Sequence, residues 1–185
     1  MPCLILVKHS LPEVVPGLPP NQWRLSNDGR LHCAPLAEKL RAYQPEIIIS
    51  SLEPKAQETA HLVAEQLGMR CVTMEGLHEH DRGGTPFLDA ARFEATVEMF
   101  FAEPAKLVIG RETADAAHAR FSGAVARVME KHPGRNVVIV AHGTVITLLV
   151  SRANGLAPFP LWKRLGMPSF IVLALPDLRL SEVVE

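Results

Sequence analysis

Short apolar runs recur along this chain and are separated by longer segments in which apolar residues have helical spacing. One run covers residues 2–8, and a second begins at Asn136 and ends just before His142. Both are rich in branched aliphatic residues and end abruptly at polar positions, which predicts buried β-strands. Similar runs predict further strands over 46–50, 70–73, 169–175 and 178–184.

The segments between these runs predict helices, because their apolar residues recur every three or four positions. Ser26 is a candidate N-cap for a helix that continues to about Tyr43. Pro54 suits the first position of the next helix, and Gly68 suits its end. Further helices are predicted over 87–102, from a cap at Thr113 or Asp115 to Pro133, and over 144–154.

This order of elements predicts the fold class. Strands that alternate with helices form βαβ units, so we expect an α/β fold of three layers, with a mainly parallel sheet and helices on both faces. A chain of 185 residues with 48% hydrophobic residues suits one domain with a sizeable core. We therefore predict a single domain over residues 1–185.

Composition narrows the classes of function. The formal net charge is −1 without a long basic block, which argues against nucleic acid as a partner. The cysteines Cys3, Cys33 and Cys71 are widely spaced and odd in number, as is typical of a reducing compartment. No apolar stretch reaches membrane-spanning length, and the N-terminal run makes a poor signal peptide. We expect a cytoplasmic protein with no membrane partner; the oligomeric state stays open.

Two histidines stand where two predicted strands end. His9 follows the first apolar run, and His142 follows the run that begins at Asn136. The carboxyl ends of parallel strands share one edge of a sheet, where open α/β folds place their ligand crevice. Imidazole acts as a nucleophile, a base or a positive donor near neutral pH. The pattern therefore predicts an active site that contains both rings.

Four segments should converge at this edge of the sheet, each at or just after the carboxyl end of a strand. They are residues 8–10, 50–55, 77–80 and 141–143. Together they bring two histidines, two lysines, hydroxyl groups and a carboxylate, a set that suits a dianionic phosphoryl group. Helix N-termini near Lys55 and Gly143 would add backbone donors.

At these residues the chain resembles the histidine phosphatase superfamily, also called phosphoglycerate mutase-like, over nearly its whole length. The family's first motif, Arg-His-Gly, corresponds here to residues 8–10, and its last catalytic motif corresponds to residues 141–143. The second motif is matched at Ser50, Ser51, Ala56, Thr59 and Ala60, with Lys55 in place of arginine. Residues 25–29 and 110–113 look like two further family segments. The resemblance implies a phosphoglycerate mutase-like fold.

The resemblance also implies a role for each matched residue. His9 would attack phosphorus and form a phosphohistidine. Lys8, Lys55 and His142 would hold the phosphoryl oxygens, and Ser10 and Gly143 are further candidates for phosphate binding. Protein cations neutralise the phosphate in this scheme, so no metal or other cofactor is expected. The partner would be a small phosphorylated substrate or free phosphate.

The proton donor is expected in the loop that follows the third strand. Glu79 is the candidate that the resemblance implies, while Glu75, His80 and Asp81 lie close enough in sequence to compete with it. The alternating ligand types over 78–81 also suggest a metal site. However, no second cluster has the spacing of metal ligands, so we do not predict one.

The segment around 79–111 is expected to form a cap-like insertion that sets substrate specificity. It contains two of three scattered arginines, Arg70, Arg82 and Arg92, which we expect to be solvated, although Arg82 could reach a substrate from its loop. Trp162 stands in a loop-like context, where it could line the mouth of the pocket or an interface.

The chain departs from the family pattern at the phosphate-binding positions. Lysines stand at 8 and 55 where arginines are expected, and Ser10 replaces glycine. Lysine is a point charge without the arginine fork, and each lost charge-assisted hydrogen bond costs roughly 1.5–3 kcal/mol. We therefore predict a slow or specialised phosphomonoester hydrolase. A catalytically weakened phospholigand-binding or regulatory member is the alternative, and a phosphomutase is disfavoured because family mutases tend to be longer.

Overall fold

The computed structural model describes residues 2–185. Within that range the chain forms six strands and seven α-helices, together with one turn of 3-10 helix at Pro20–Gln22. The strands are β1 (Cys3–Lys8), β2 (Ile47–Ser50), β3 (Cys71–Thr73), β4 (Val137–Ala141), β5 (Ser169–Ala174) and β6 (Arg179–Val184). The helices are α1 (Asn27–Leu31), α2 (Cys33–Arg41), α3 (Pro54–Leu67), α4 (Ala90–Ala102), α5 (Ala114–Lys131), α6 (Gly143–Asn154) and α7 (Pro158–Arg164).

All six strands belong to one mixed sheet in the order β3-β2-β4-β1-β5-β6. β1 pairs in parallel with β4, with Leu4 opposite Val137, and β2 pairs in parallel with both β3 and β4. β5 is antiparallel to β1, and β6 is antiparallel to β5. The expected mainly parallel sheet is therefore confirmed, and the β5–β6 hairpin adds an antiparallel edge to it.

The helices cover both faces of the sheet because alternate residues of each strand point to opposite sides. Ile5 and Val7 pack in one core cluster with side chains of α2 and α3. Leu4 and Leu6 belong to a second cluster with side chains of α4, α5, α6 and α7. This arrangement confirms the three predicted layers and leaves the carboxyl ends of β1, β2 and β4 side by side.

Local signals place the helix ends. The hydroxyl of Ser26 accepts a hydrogen bond from the Gly29 amide at the start of α1, and Thr113 rather than Asp115 caps α5. Gly68 ends α3 in the left-handed conformation that glycine adopts most easily. None of the helices within residues 2–185 combines the length and the apolar character needed to cross a bilayer.

Three predictions about helices were wrong in detail. The helix expected to run to Tyr43 is split at His32 into α1 and α2, and α4 begins at Ala90 because the Asp89 side chain caps it. Trp162 lies on α7 and not in a loop. The α7 sequence is short and contains two prolines, so it shows too little periodicity to be recognised as a helix.

Candidate active site

The two strand-end histidines lie together at the carboxyl edge of the sheet. The backbone amide of His9 donates to the carbonyl of Ala141 at 3.0 Å, which continues the pairing of β1 with β4. The His9 and His142 ring centroids are 5.2 Å apart, and the edge of one ring faces the other. His9 is only 6% exposed and His142 is fully buried. The structure thus brings together the pair that the strand ends predict.

The hydrogen bond of His9 fixes the position of its proton. Nδ1 lies 2.7 Å from the carbonyl oxygen of Ser10, and because that oxygen can only accept, Nδ1 must donate. Burial, reinforced by the charge of Lys55, holds the pKa of His9 well below 6.5. The ring is therefore neutral, and Nε2 carries a free lone pair.

His142 begins the turn into α6, and its two ring nitrogens differ in their surroundings. Nε2 lies 2.9 Å from the hydroxyl oxygen of Ser51 and 3.6 Å from Oε1 of Glu53. Nδ1 is buried and has no hydrogen-bond partner within residues 2–185. Burial, followed by the charge of Lys55, holds the pKa of His142 well below its usual value. The ring thus holds one buried nitrogen whose hydrogen-bonding capacity is not used within residues 2–185.

Lys8 crosses the edge of the sheet toward α6. Its Nζ donates to the carbonyl of Leu165 at 2.5 Å, and its side chain packs on Gly143, where an added Cβ would lie 3.1 Å from Cε. Burial lowers the pKa of Lys8 to about 8; the charge of Glu79 opposes this shift and that of Arg82 adds to it. Lys8 is therefore a cation at neutral pH that loses its charge in mild alkali.

Lys55 is held by groups that the sequence analysis missed. Its Nζ donates to Oε2 of Glu53 at 2.6 Å and to the carbonyl of Pro20 at 2.6 Å, and both charged side chains are buried. Glu53 precedes α3, where its Oε1 also accepts from the Glu79 amide at 2.8 Å. The two-residue spacing of the opposite charges at 53 and 55 was the available signal for this pair.

Glu79 places its carboxylate at the N-terminus of α6. The carboxylate accepts from the amides of Thr144 at 3.1 Å and Val145 at 3.3 Å. Burial alone would raise the pKa of Glu79, but the charge of Arg82 and the amide donors outweigh burial and lower the pKa to about 2. Glu79 is therefore ionised at neutral pH in this structure.

The competing proton donors lie elsewhere. Glu75 is exposed, and Asp81 accepts from the amide of Gly83. His80 is buried, with Nε2 3.0 Å from the carbonyl oxygens of both Ile109 and Glu112. Within residues 2–185, histidine, cysteine and carboxylate side chains nowhere form a group of three that could hold a metal ion. The geometry favours Glu79 among the candidates of this loop.

Ser10 is turned into the protein. Its hydroxyl donates to the carbonyl of Gly29 at 2.7 Å, and its amide donates to the hydroxyl oxygen of Thr59 at 3.0 Å. Both groups therefore have partners that fix the turn after β1 against α1 and α3. Phosphate binding by Ser10 stays a prediction.

The side chain of Arg82 is largely buried, so the expectation that it is solvated was wrong. Its side chain is 21% exposed, and Nη2 lies 3.4 Å from Oε2 of Glu79 and 3.3 Å from the hydroxyl oxygen of Thr144. The guanidinium carbon lies 4.7 Å from the centre of the Phe93 ring. We use the name cup for the space bounded by the side chains of Lys8, His9, Lys55, Glu79, Arg82 and His142.

Two curated proteins are similar to part of this chain. The uncharacterized phosphatase PhoE of Bacillus subtilis (strain 168) is 26% identical over 131 residues, which are 71% of this chain and 65% of PhoE. Phosphoglycerate mutase-like protein 4 of Arabidopsis thaliana is 29% identical over 138 residues, which are 70% of this chain and 60% of that protein. The chain thus spans only 60–65% of the length of these relatives.

Solved structures resemble the whole chain. The native mycobacterial glucosyl-3-phosphoglycerate phosphatase has a TM-score of 0.79 at 23% identity, covering 100% of this chain and 98% of that one. A mutant phosphoserine phosphatase from Entamoeba histolytica, in complex with phosphoserine, has a TM-score of 0.80 at 16% identity with the same coverage. At such identities the likeness shows the fold, and it confirms the phosphoglycerate mutase-like architecture.

The sequence model of one family matches most of the chain. The histidine phosphatase superfamily (branch 1) matches residues 20–174, which include Lys55, Glu79 and His142. His9 precedes the matched range and joins the cup through the pairing of β1 with β4. Because the match covers well over half of the chain, this protein belongs to the histidine phosphatase superfamily, branch 1.

Proposed function

We propose that this protein is a phosphomonoester hydrolase that acts through a phosphohistidine on His9. The observation that carries the proposal is the buried, neutral His9 ring, whose Nδ1 proton is held by the Ser10 carbonyl so that Nε2 carries the lone pair. A nucleophile needs an unprotonated atom with a fixed direction, and this hydrogen bond supplies both. Membership of the histidine phosphatase superfamily supports the same class of reaction.

The substrate class is a small phosphorylated molecule. Several structural relatives are phosphatases by name, and they include complexes with phosphoserine and with inorganic phosphate. In this chain, Lys8, Lys55 and Nδ1 of His142 would receive the phosphoryl oxygens, and the position of both histidines at the end of paired strands supports this. Gly143 lets the Lys8 side chain pass close to the start of α6. The positive end of the helix dipole at that point would add to the attraction of the site for a phosphoryl group.

We propose that the first step forms the phosphoenzyme. Nε2 of His9 attacks phosphorus in line with the ester oxygen, so that a P–N bond forms while the P–O bond breaks. The bond electrons leave on the ester oxygen, which takes a proton from Glu79. Glu79 takes that proton from the phosphoryl group of a substrate monoanion as it binds, because the negative charge of the substrate raises the pKa of the carboxyl group.

The second step restores the enzyme. A water molecule attacks the phosphohistidine and loses a proton to the Glu79 carboxylate, while the P–N bond breaks and its electrons return to Nε2 of His9. The departing phosphate takes this proton from Glu79 and leaves as the monoanion, so that the neutral His9 ring and the Glu79 carboxylate are both restored. Protein cations supply the neutralising charge throughout this scheme.

We also propose that residues 79–111 cover the cup and set substrate preference. Glu79 and Arg82 reach into the cup from the first part of this segment. Helix α4 follows and packs on α7, with the Phe93 and Trp162 ring centroids 6.1 Å apart. The segment thus combines groups that reach the cup with an aromatic wall beside it.

The hydrolase proposal is tested with a panel of phosphomonoesters. We expect release of inorganic phosphate from at least one member, above the rate of a His9→Asn preparation that corrects for contaminating phosphatases. Free phosphate identifies a hydrolase, whereas phosphate recovered on a second hydroxyl group identifies a mutase. A wild-type rate equal to that of His9→Asn on every ester would reject both.

One observation favours the alternative of a phospholigand-binding protein. Lys55 is neutralised by Glu53 and bound by the Pro20 carbonyl, so its charge is less available to a transition state than that of a free cation. A protein of this kind would bind inorganic phosphate in a calorimeter and leave the whole ester panel intact.

The Lys8 ammonium predicts how activity depends on pH. Its pKa is lowered from 10.5 to about 8, so the charged form is present below pH 8 and is lost as the pH rises through it. If the charge binds phosphate, kcat/KM should fall roughly tenfold per pH unit above that point. Between pH 7 and about 10, Lys8→Arg should lose this fall, since arginine stays protonated. The control variant Lys163→Arg, at an exposed position, should still show the fall in kcat/KM. An unchanged fall in Lys8→Arg would contradict the assignment of this pH dependence to Lys8.

A further inference from the structure

The charges of the cup and of Glu53, which pairs with Lys55 beside it, cancel when Arg82 is left out. Lys8 and Lys55 contribute two positive charges, Glu53 and Glu79 contribute two negative charges, and both histidines are neutral because burial lowers their pKa. A dianionic phosphoryl group is held by a site with excess positive charge. Arg82 is the group that supplies the excess positive charge of this site.

Arg82 is directed into the cup by contacts on two sides. Nη2 lies within 3.4 Å of both Glu79 and Thr144, and the guanidinium carbon lies over the Phe93 ring. This cation–π contact holds the guanidinium group in place from the side of α4. The charge of Arg82 also contributes to lowering the pKa of Lys8, and the charge of Glu79, which Arg82 contacts, acts on Lys8 as well.

The guanidinium group keeps donor capacity for an anion. Both of its hydrogen bonds within residues 2–185 come from Nη2, and at 3.3 and 3.4 Å they are long compared with the 2.6 Å bonds of Lys55. Its backbone is nevertheless fixed. Gly110, at a φ of +75°, packs so tightly that an added Cβ would lie 2.7 Å from Cα of Arg82. A fixed backbone with loosely bound donors is what a ligand-binding side chain requires.

We propose that Arg82 binds the phosphoryl oxygens of the substrate and supplies the guanidinium fork that is absent at positions 8 and 55. This inference rests on the proposed function, since it assigns a ligand of the same cup. When the phosphoryl group enters, the guanidinium group exchanges its long contact with Glu79 for the more negative oxygens of the substrate. The exchange leaves Glu79 free to accept and return a proton.

The test compares Arg82→Gln and Arg82→Lys with Arg70→Gln. Arg70 is exposed just before β3, outside both the cup and the segment 79–111, and serves as the matched control. We expect kcat/KM to fall roughly tenfold to a hundredfold in both Arg82 variants, because even lysine, which keeps the charge, loses the fork. The inhibition constant of inorganic phosphate should rise in parallel, whereas Arg70→Gln should match the wild type. Arg82 variants with wild-type kcat/KM and wild-type phosphate inhibition would overturn the assignment.

Added guanidinium ion separates a binding role from a structural one. At millimolar concentration it should restore part of the activity of Arg82→Gln, with ammonium ion at the same ionic strength having a smaller effect. Equal rescue by the two ions would count against the fork. If Arg82→Gln does not fold, Arg82→Lys alone carries the test. If the wild type hydrolyses nothing, the hydrolase proposal fails, and phosphate affinity measured by calorimetry on the same variants still decides the role of Arg82.

Discussion

Replacement of His9 by asparagine will abolish both turnover and the covalent phosphoenzyme. Asparagine can still donate from its amide to the Ser10 carbonyl, but it has no lone pair that could attack phosphorus. Removing a nucleophile from a covalent mechanism typically lowers kcat by about 10⁴–10⁶. The measurement is incubation with an isotopically labelled phosphomonoester, a quench in base, and a count of acid-labile label on the protein. We expect label on the wild type and none on His9→Asn.

The control for this experiment is another histidine of the same chain. His61 is exposed on α3, where its Nδ1 contacts the Gln57 carbonyl away from the cup. His61→Asn should keep wild-type turnover and the full amount of label. Label that persists on His9→Asn would show that another group attacks phosphorus. Label that is absent from a wild type that releases phosphate would indicate direct attack by water.

The predictable part of the fold was encoded locally. The apolar runs at 2–8 and 136–141 predicted two buried strands because such runs must be covered on both faces of a sheet. The structure shows that these strands are also neighbours at the centre of the sheet. Ser26 and Gly68 marked helix ends through their own backbone chemistry. Helix α7 was missed because it is short and rich in proline, and its position depends on packing against α4 and α6.

The candidate site likewise contains residues that the sequence predicts and contacts that it does not. His9 and His142 were predictable since each directly follows an apolar run that predicts a buried strand, and parallel strands end at the same edge of a sheet. The partners of the lysines were not, because two of them are backbone carbonyls, of Leu165 and Pro20, which carry no sequence signal. Arg82 contacts a hydroxyl group 62 residues away, and only the path of the loop decides whether it faces solvent or the cup.

Replacement of Glu79 by glutamine will lower kcat for alkyl phosphates by about 10²–10⁴, the usual contribution of a general acid or base. Glutamine fills the same space and can still accept from the amides at the start of α6, but it cannot exchange a proton with the leaving oxygen or with water. Glu75→Gln, in the same loop and exposed, is the matched control and should behave as the wild type.

A substrate whose leaving group needs no proton distinguishes the effect of Glu79→Gln on formation of the phosphoenzyme from its effect on hydrolysis of the phosphoenzyme. A nitrophenolate leaves without a proton, so Glu79→Gln should still form the phosphoenzyme from nitrophenyl phosphate, whereas the water step should stay slow. The expected result is a burst of one nitrophenol per enzyme followed by slow turnover, with label accumulating on His9. An equal loss of the burst and of steady turnover would mean that Glu79 acts by positioning the N-terminus of α6. In that case the proton donor would be a group outside this loop. Asp81 and His80 are hydrogen-bonded to neighbouring backbone groups, and Glu75 faces solvent.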